Sequence, residues 1–123
     1  MPKIWTLGSI NKRKQFIYSG SVSTGVTFQF SGKPYISPGF FKAILNQFDG
    51  ETIAGGFSMT DATPGGLGQW IVKNSKQLNS VSLTPRHASF IAAVLVHEKF
   101  ITSSLKGNAI YLHFGHAEDK LIE

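Results

Sequence analysis

The longest nearly unbroken apolar run in the chain lies in residues 83–100, LTPRHASFIAAVLVHEKF, where Ser89 is the one polar position between Ala88 and Val96. A helix without a polar stripe has to be covered on most sides, so this segment is the expected centre of the core. Thr84-Pro85 marks its start. A threonine oxygen can accept an orphan N–H of the first turn, and the fixed φ of proline suits the first helical position. Ser37-Pro38 repeats that signal, and Phe40, Phe41, Ile44, Leu45 and Phe48 then share one face opposite Lys42, Asn46 and Gln47. This spacing predicts an amphipathic helix, closed at Asp49-Gly50 by a glycine suited to the left-handed conformation. A further helix is expected between the two, with Leu67, Trp70, Ile71 and Leu78 on one face and Asn74 interrupting it.

Strand signals occupy most of the remainder. Residues 3–7 and 15–19 read as a hairpin whose connection becomes basic at Lys12-Arg13-Lys14, and Val26, Phe28 and Phe30 alternate with Thr27 and Gln29. Residues 52–57 read as a strand whose Gly55-Gly56 pair marks a bulge or a close approach to the backbone. Residues 81–83 read as a short strand, Lys106-Gly107 as a turn, and Ile110, Leu112 and Phe114 as alternate positions of a last strand. The tail beyond Gly115 is expected to be peripheral. Together these predict an α+β fold in one domain, residues 1–123: a mainly antiparallel sheet of about five strands packed with three helices, the third central and buried. Two stretches read alike as cap, helix, glycine turn and strand, one from Ser37-Pro38 to Phe57 and one from Thr84-Pro85 to Phe114. Their cap-to-glycine spacings differ, and shared capping chemistry accounts for the likeness without a duplication.

Composition narrows the function classes. With 41% hydrophobic and 15% charged residues in 123, the chain can bury a core. The lack of cysteine removes disulfides, thiolate metal sites and cysteine nucleophiles. No stretch approaches the length of a membrane span and no leader pattern opens the chain, so a cytoplasmic location is expected. Twelve Lys and Arg against seven Asp and Glu suit a polyanionic partner. Of the acids only Asp61 and Glu98 are placed as inner carboxylates, which leaves little for paired-carboxylate chemistry.

Five arrangements are weighed as candidate chemistry. At the mouth of the central helix, Thr84, Arg86, His87 and Ser89 offer donors to an anion at the positive end of a helix dipole, and serve equally as a plain capped first turn. Gly65, Gly66 and Gly68 form a glycine-rich lead into a helix that can wrap N–H groups around a phosphate, or simply connect; neither the Walker nor the dinucleotide pattern is present. The histidines offer no metal set: His113 and His116 supply half a zinc site at most, and His87 and His97 are about 15 Å apart on one helix. A serine, histidine and Asp61 triad is formally available but lacks an elbow motif. Last, Lys12, Arg13 and Lys14 sit beside strands bearing Phe16, Tyr18, Phe28 and Phe30, a setting that single-strand binders use and that a solvated hairpin tip also explains.

The sequence therefore predicts a non-catalytic binding or interaction module for a small anionic ligand or a protein partner. Nucleic-acid binding through the basic hairpin is the alternative, and a small hydrolase or isomerase using His87 and Asp61 the third reading. A homodimer is expected, because so small a domain has difficulty covering every side of the central helix. No cofactor and no metal are implied.

Overall fold

The computed structural model describes residues 3–7, 14–30, 32–56, 65–79, 82–106 and 109–115. Among the described residues seven strands and three helices follow in the order β1 (Lys3–Trp5), β2 (Gln15–Ser21), β3 (Gly25–Phe28), β4 (Tyr35–Ile36), α1 (Pro38–Gln47), β5 (Thr52–Ala54), α2 (Leu67–Asn79), α3 (Pro85–His97), β6 (Thr102–Lys106) and β7 (Ala109–His113). The fold is α+β and every strand pair is antiparallel. The strands form two sheets, where the sequence pattern predicts one of about five strands. The first has the order β1-β2-β3-β4 and the second β5-β7-β6.

The differences have identifiable causes. The strand β6 carries Thr102, Ser103 and Ser104 at an exposed sheet edge, so its sequence shows no apolar alternation to read. The strand expected at residues 81–83 is absent at Ser82 and Leu83, while Val81 lies outside the described residues. The Leu83 N–H donates to the buried Ser75 Oγ at 2.8 Å instead of joining a ladder. The strand expected to reach Phe30 ends at Phe28, yet the two rings stack with centroids 5.3 Å apart. The strand after α1 ends at Ala54, just before the glycine pair. Gly68 donates to the Gly55 carbonyl at 2.9 Å, and a Cβ on Gly68 would collide with the Gly56 carbonyl, so the glycines on both sides permit this close approach.

The helix α3 is buried along most of its length, at Ala88 and from Ile91 to Leu95. Its half-buried Phe90 meets Phe16 at 4.9 Å, Phe30 at 4.7 Å and Phe28 at 5.9 Å between centroids, which seats the four-stranded sheet on it. The α2 helix packs along another side, and Ile53 and Leu112 bring the second sheet into the same core. The cover that motivated a homodimer is thus supplied within one chain.

Buried polar side chains fasten the helix ends. The Asn79 Oδ1 at the end of α2 accepts from the Ser37 N–H at 2.8 Å, and its Nδ2 donates to the Tyr35 carbonyl at 2.9 Å. One amide thus holds the β4–α1 junction, where Ser37 caps α1 by accepting from the Phe40 N–H at 3.1 Å. Replacing Asn79 with alanine strands both backbone groups, and a loss of about 2 kcal/mol in unfolding free energy is expected. A urea titration measures it; a midpoint equal to that of the parent protein would show that the junction holds without the amide.

Candidate functional site

The mouth of α3 is closed by its own residues. The Thr84 N–H donates to His87 Nδ1 at 3.0 Å, Thr84 Oγ1 lies 3.1 Å from the same nitrogen, and the His87 N–H donates to the Thr84 carbonyl at 3.0 Å. This is a capping box with histidine in the place usually held by glutamate or glutamine. A ring nitrogen that accepts from an N–H carries no proton, so His87 is neutral with its proton on Nε2. Burial lowers its pKa below the ordinary 6.5 in the same sense. Ser89 Oγ donates to the Arg86 carbonyl at 2.8 Å, and the Arg86 side chain is exposed. The glycine-rich segment does come to this mouth, since Gly68 packs beside Pro85. Its donors are engaged too: Gly68 with Gly55, and the Gly65 N–H with Gln69 Oε1 at 2.9 Å. The two segments proposed to hold an anion therefore meet, with most of their N–H groups satisfied inside the protein.

Glu98, one of the two carboxylates expected inside, is also engaged. At the end of α3 its Oε2 accepts from the Tyr18 hydroxyl at 2.7 Å and its Oε1 from the Val22 N–H at 2.9 Å. Burial first, then the hydrogen bond to Glu98 and its charge, push the Tyr18 pKa well above its ordinary value, so this phenol remains a donor. Asp61, Lys12, Arg13 and His116 lie outside the described residues.

The histidine triad reading finds a different set of atoms. On the solvent side of the second sheet, Ser104 Oγ lies 2.8 Å from His113 Nε2, and Thr52 Oγ1 lies 3.1 Å from His113 Nδ1. The sheet register makes Ser104 and His113 diagonal neighbours and sets Thr52 directly opposite His113. A hydroxyl on each nitrogen orients the ring, but among the described residues no carboxylate in the chain of bonds would stabilise an imidazolium. His97 stands exposed at the end of α3. Among the described residues no group of three His, Asp or Glu is placed to hold a metal.

A groove that the sequence pattern does not reveal lies between the two sheets. Its volume is about 310 Å³, and its walls are Trp5, Thr6 and Leu7 on one side and Ser103, Ser104, Leu105 and Ile110 on the other. Trp5 is 46% exposed and Leu105 50%. The Thr6 N–H donates to the Lys14 carbonyl at 2.8 Å and the Lys14 N–H to Thr6 Oγ1 at 2.8 Å, so Lys14 is bonded directly to a residue of the groove wall. Across the groove, the β6–β7 hairpin carries exposed Lys106 next to Leu105. Lys3, which alternates with Ile4 and shares the outward side with Trp5, is exposed on the same strand.

The groove also has backbone donors. The Ile110 carbonyl accepts from the Gly55 N–H at 2.9 Å, so Ile110 directs its peptide groups toward β5 and Tyr111 directs its own toward Ser104. Alternation along an antiparallel pair then points the N–H and C=O of Ser103 and Leu105 away from β7, along the outer edge of the sheet. The alternation of Lys3, Trp5 and Leu7 with Ile4 and Thr6 is the signal by which Trp5 was readable as outward-facing. The partner wall, β6, gave no such signal.

Comparison with protein-family models, with curated proteins and with solved structures finds no match to this chain.

The state of His87 sets a pH dependence. Its folded pKa lies below the unfolded value, so the neutral ring contributes stability that is complete above about pH 6.5 and is lost as pH falls through the lowered folded pKa. Thermal melts from pH 7.5 to 4.5 should therefore show a falling midpoint, part of which disappears in His87→Gln, whose amide oxygen accepts the same N–H without titrating. An equal slope in the two proteins would remove His87 as the titrating group.

Proposed function

We propose that the protein is a non-catalytic binding module whose ligand is single-stranded nucleic acid, held in the groove between the β1–β2 and β6–β7 hairpins. The observation that carries this reading is Trp5, 46% exposed in the groove wall, with exposed lysines at chain positions next to the lining or bonded to it: Lys3 on the strand of Trp5, Lys14 paired with Thr6, and Lys106 after Leu105. An aromatic platform offers a face to any base, and lysines along its edge neutralise the backbone without selecting sequence. The outward N–H groups of Ser103 and Leu105 add donors on the opposite wall. Charge supports the same choice. Among the described residues Asp49, Glu51 and Glu98 are the only acids, against nine lysines and arginines. Glu98 is bonded to Tyr18 and Val22, and Glu51 stands at the end of the β5–β7 ladder away from the hairpin tip.

A duplex-reading alternative has a topological argument but meets an obstacle. The helices α2 and α3 are joined by five residues and followed by a hairpin, a connectivity compatible with helix–turn–helix DNA binding. Connectivity alone assigns no function. The second helix of such a pair has to enter a groove of the duplex, whereas here Phe90 is packed against Phe16 and Phe30 and residues 91–95 are buried. The proposed polyanion surface is therefore that of the hairpins and not that of α3. An anionic ligand at the α3 mouth would compete with the internal bonds of Thr84, His87, Gly65 and Gly68.

Fluorescent single-stranded DNA and RNA oligonucleotides, with the matching duplexes, test the proposal by anisotropy across a salt series. Binding should favour single strands and weaken as salt rises, with a logarithmic slope near −2 if about three phosphates are neutralised. Trp5→Ala should weaken binding by about 1–3 kcal/mol, the usual contribution of one stacked base. The pair Lys14→Glu and Lys106→Glu should weaken it further and flatten the salt slope. No binding at low salt, or binding indifferent to all three substitutions, would remove the groove as a nucleic-acid site.

A further inference from the structure

A second groove, of about 340 Å³, is formed by the β2–β3 turn at Val22 and Ser23, the outer side of α1 at Pro38, Gly39, Lys42 and Leu45, and Phe100 just beyond α3. We propose that it binds a small amphipathic carboxylate, with the hydrocarbon against Val22, Leu45 and Phe100 and the carboxylate on Lys42. The volume is at the small end of ligand pockets, which run from about 300 to 1,000 Å³. It suits a short acyl or aryl chain better than a nucleotide or a long lipid.

The lining selects this chemistry. Lys42 is its one charged residue, and among the described residues Lys42 has no ion pair. Glu98, which accepts from the N–H of Val22 in the groove wall, also accepts from the Tyr18 hydroxyl and is engaged on both oxygens. Apart from Lys42 and the Ser23 hydroxyl, the side chains facing the groove are apolar. A peptide laid there would surrender the water bonds of its backbone with little in exchange, whereas a hydrocarbon with one anionic end gives up almost none. The cation complements a single negative charge at one end of an apolar body.

Gly39 supplies a separate observation. It lies in the first turn of α1, is exposed, and takes no left-handed φ. A Cβ added there would have a single neighbour within 4 Å, the Ser37 Oγ at 4.0 Å. Nothing in the backbone or the packing asks for glycine, and glycine within a helix is less stable than alanine. What its missing side chain does leave is an open wall in the groove.

The test is a titration of the full-length, isotope-labelled protein with sodium octanoate, 1-octanol and octylamine, followed through amide chemical shifts. Octanoate should give saturable shifts at Gly39, Lys42 and Phe100 and bind about tenfold more tightly than octanol, with octylamine weakest. In Lys42→Gln the advantage of octanoate over octanol should vanish while octanol binds as before. In Gly39→Leu both should be lost, with a melting temperature equal to or above that of the parent, which separates a filled groove from a damaged fold. Octanoate no tighter than octanol, shifts centred elsewhere, no saturation at millimolar ligand, or unchanged binding in Gly39→Leu would each overturn the proposal. The readout is independent of oligonucleotide binding, which concerns the other groove.

Discussion

The burial of α3 against the phenylalanines of the first sheet is the constraint on which the other parts depend. A helix with the sequence AxFIAAVLV has no side that gains by facing water, and in a chain of this length the cover must come from several directions. Phe90 provides the contact that makes this workable, because it reaches Phe16, Phe28 and Phe30 at once. Edge-on and tilted ring contacts add directional preference to the area they bury. The sheet is therefore held in a defined position on the helix. The small residues Ala88, Ala92 and Ala93 let neighbours approach the backbone, which is why a helix of only thirteen residues can be covered within one chain.

Apolar packing alone would leave the ends of the helices without a fixed relation to the loops. That relation comes from polar side chains placed where each helix stops. Glu98 ties the end of α3 to Tyr18 and Val22, Asn79 ties the end of α2 to both sides of the β4–α1 junction, and Ser75 receives the chain as it turns toward α3. Each accepts from a backbone N–H that would otherwise be orphaned, so each would cost more to lose than a surface hydrogen bond. His87 belongs to the same set. A histidine at the start of a central helix invites a chemical reading, but its Nδ1 is fixed on the Thr84 N–H, and the neutral state that the bond demands is the one that burial favours.

The parts of this fold legible in the sequence are those carried by local chemistry. Ser37-Pro38 and Thr84-Pro85 do begin helices, and α1 buries Phe40, Phe41, Ile44 and Phe48 of the face that the spacing selects, with Leu45 half-buried at its margin. Strands with one buried face, such as Val26 and Phe28, could be read for the same reason. The strand β6 could not, because Thr102-Ser103-Ser104 lies at an edge and carries no core pattern, and with it the second sheet and the groove beside it stayed hidden. The site residues show the same division. That Thr84 and His87 stand in one turn follows from their spacing, but whether their donors face a ligand or each other depends on one side-chain rotation. Ser104 and His113 are nine residues apart and meet only through the register of a hairpin that the sequence did not announce.

Saturation inside the fold also decides where binding can occur. The α3 mouth, the inner carboxylate and the amide of Asn79 are occupied by partners from the same chain, and any ligand there would have to displace an existing bond. The two grooves differ from these places because their polar groups point outward. In one, the outer edge of β6 presents peptide groups in a row and Trp5 and Thr6, the latter bonded to Lys14, stand on the other side, so an extended polyanion can engage charge, stacking and backbone donors together. In the other, a single lysine stands at the margin of an apolar surface, and an extended polyanion would find one partner for many charges. The two surfaces are therefore selective against each other's ligands on charge number alone, since a polyanion gains from a row of cations and a monoanion gains from one cation beside a hydrocarbon wall.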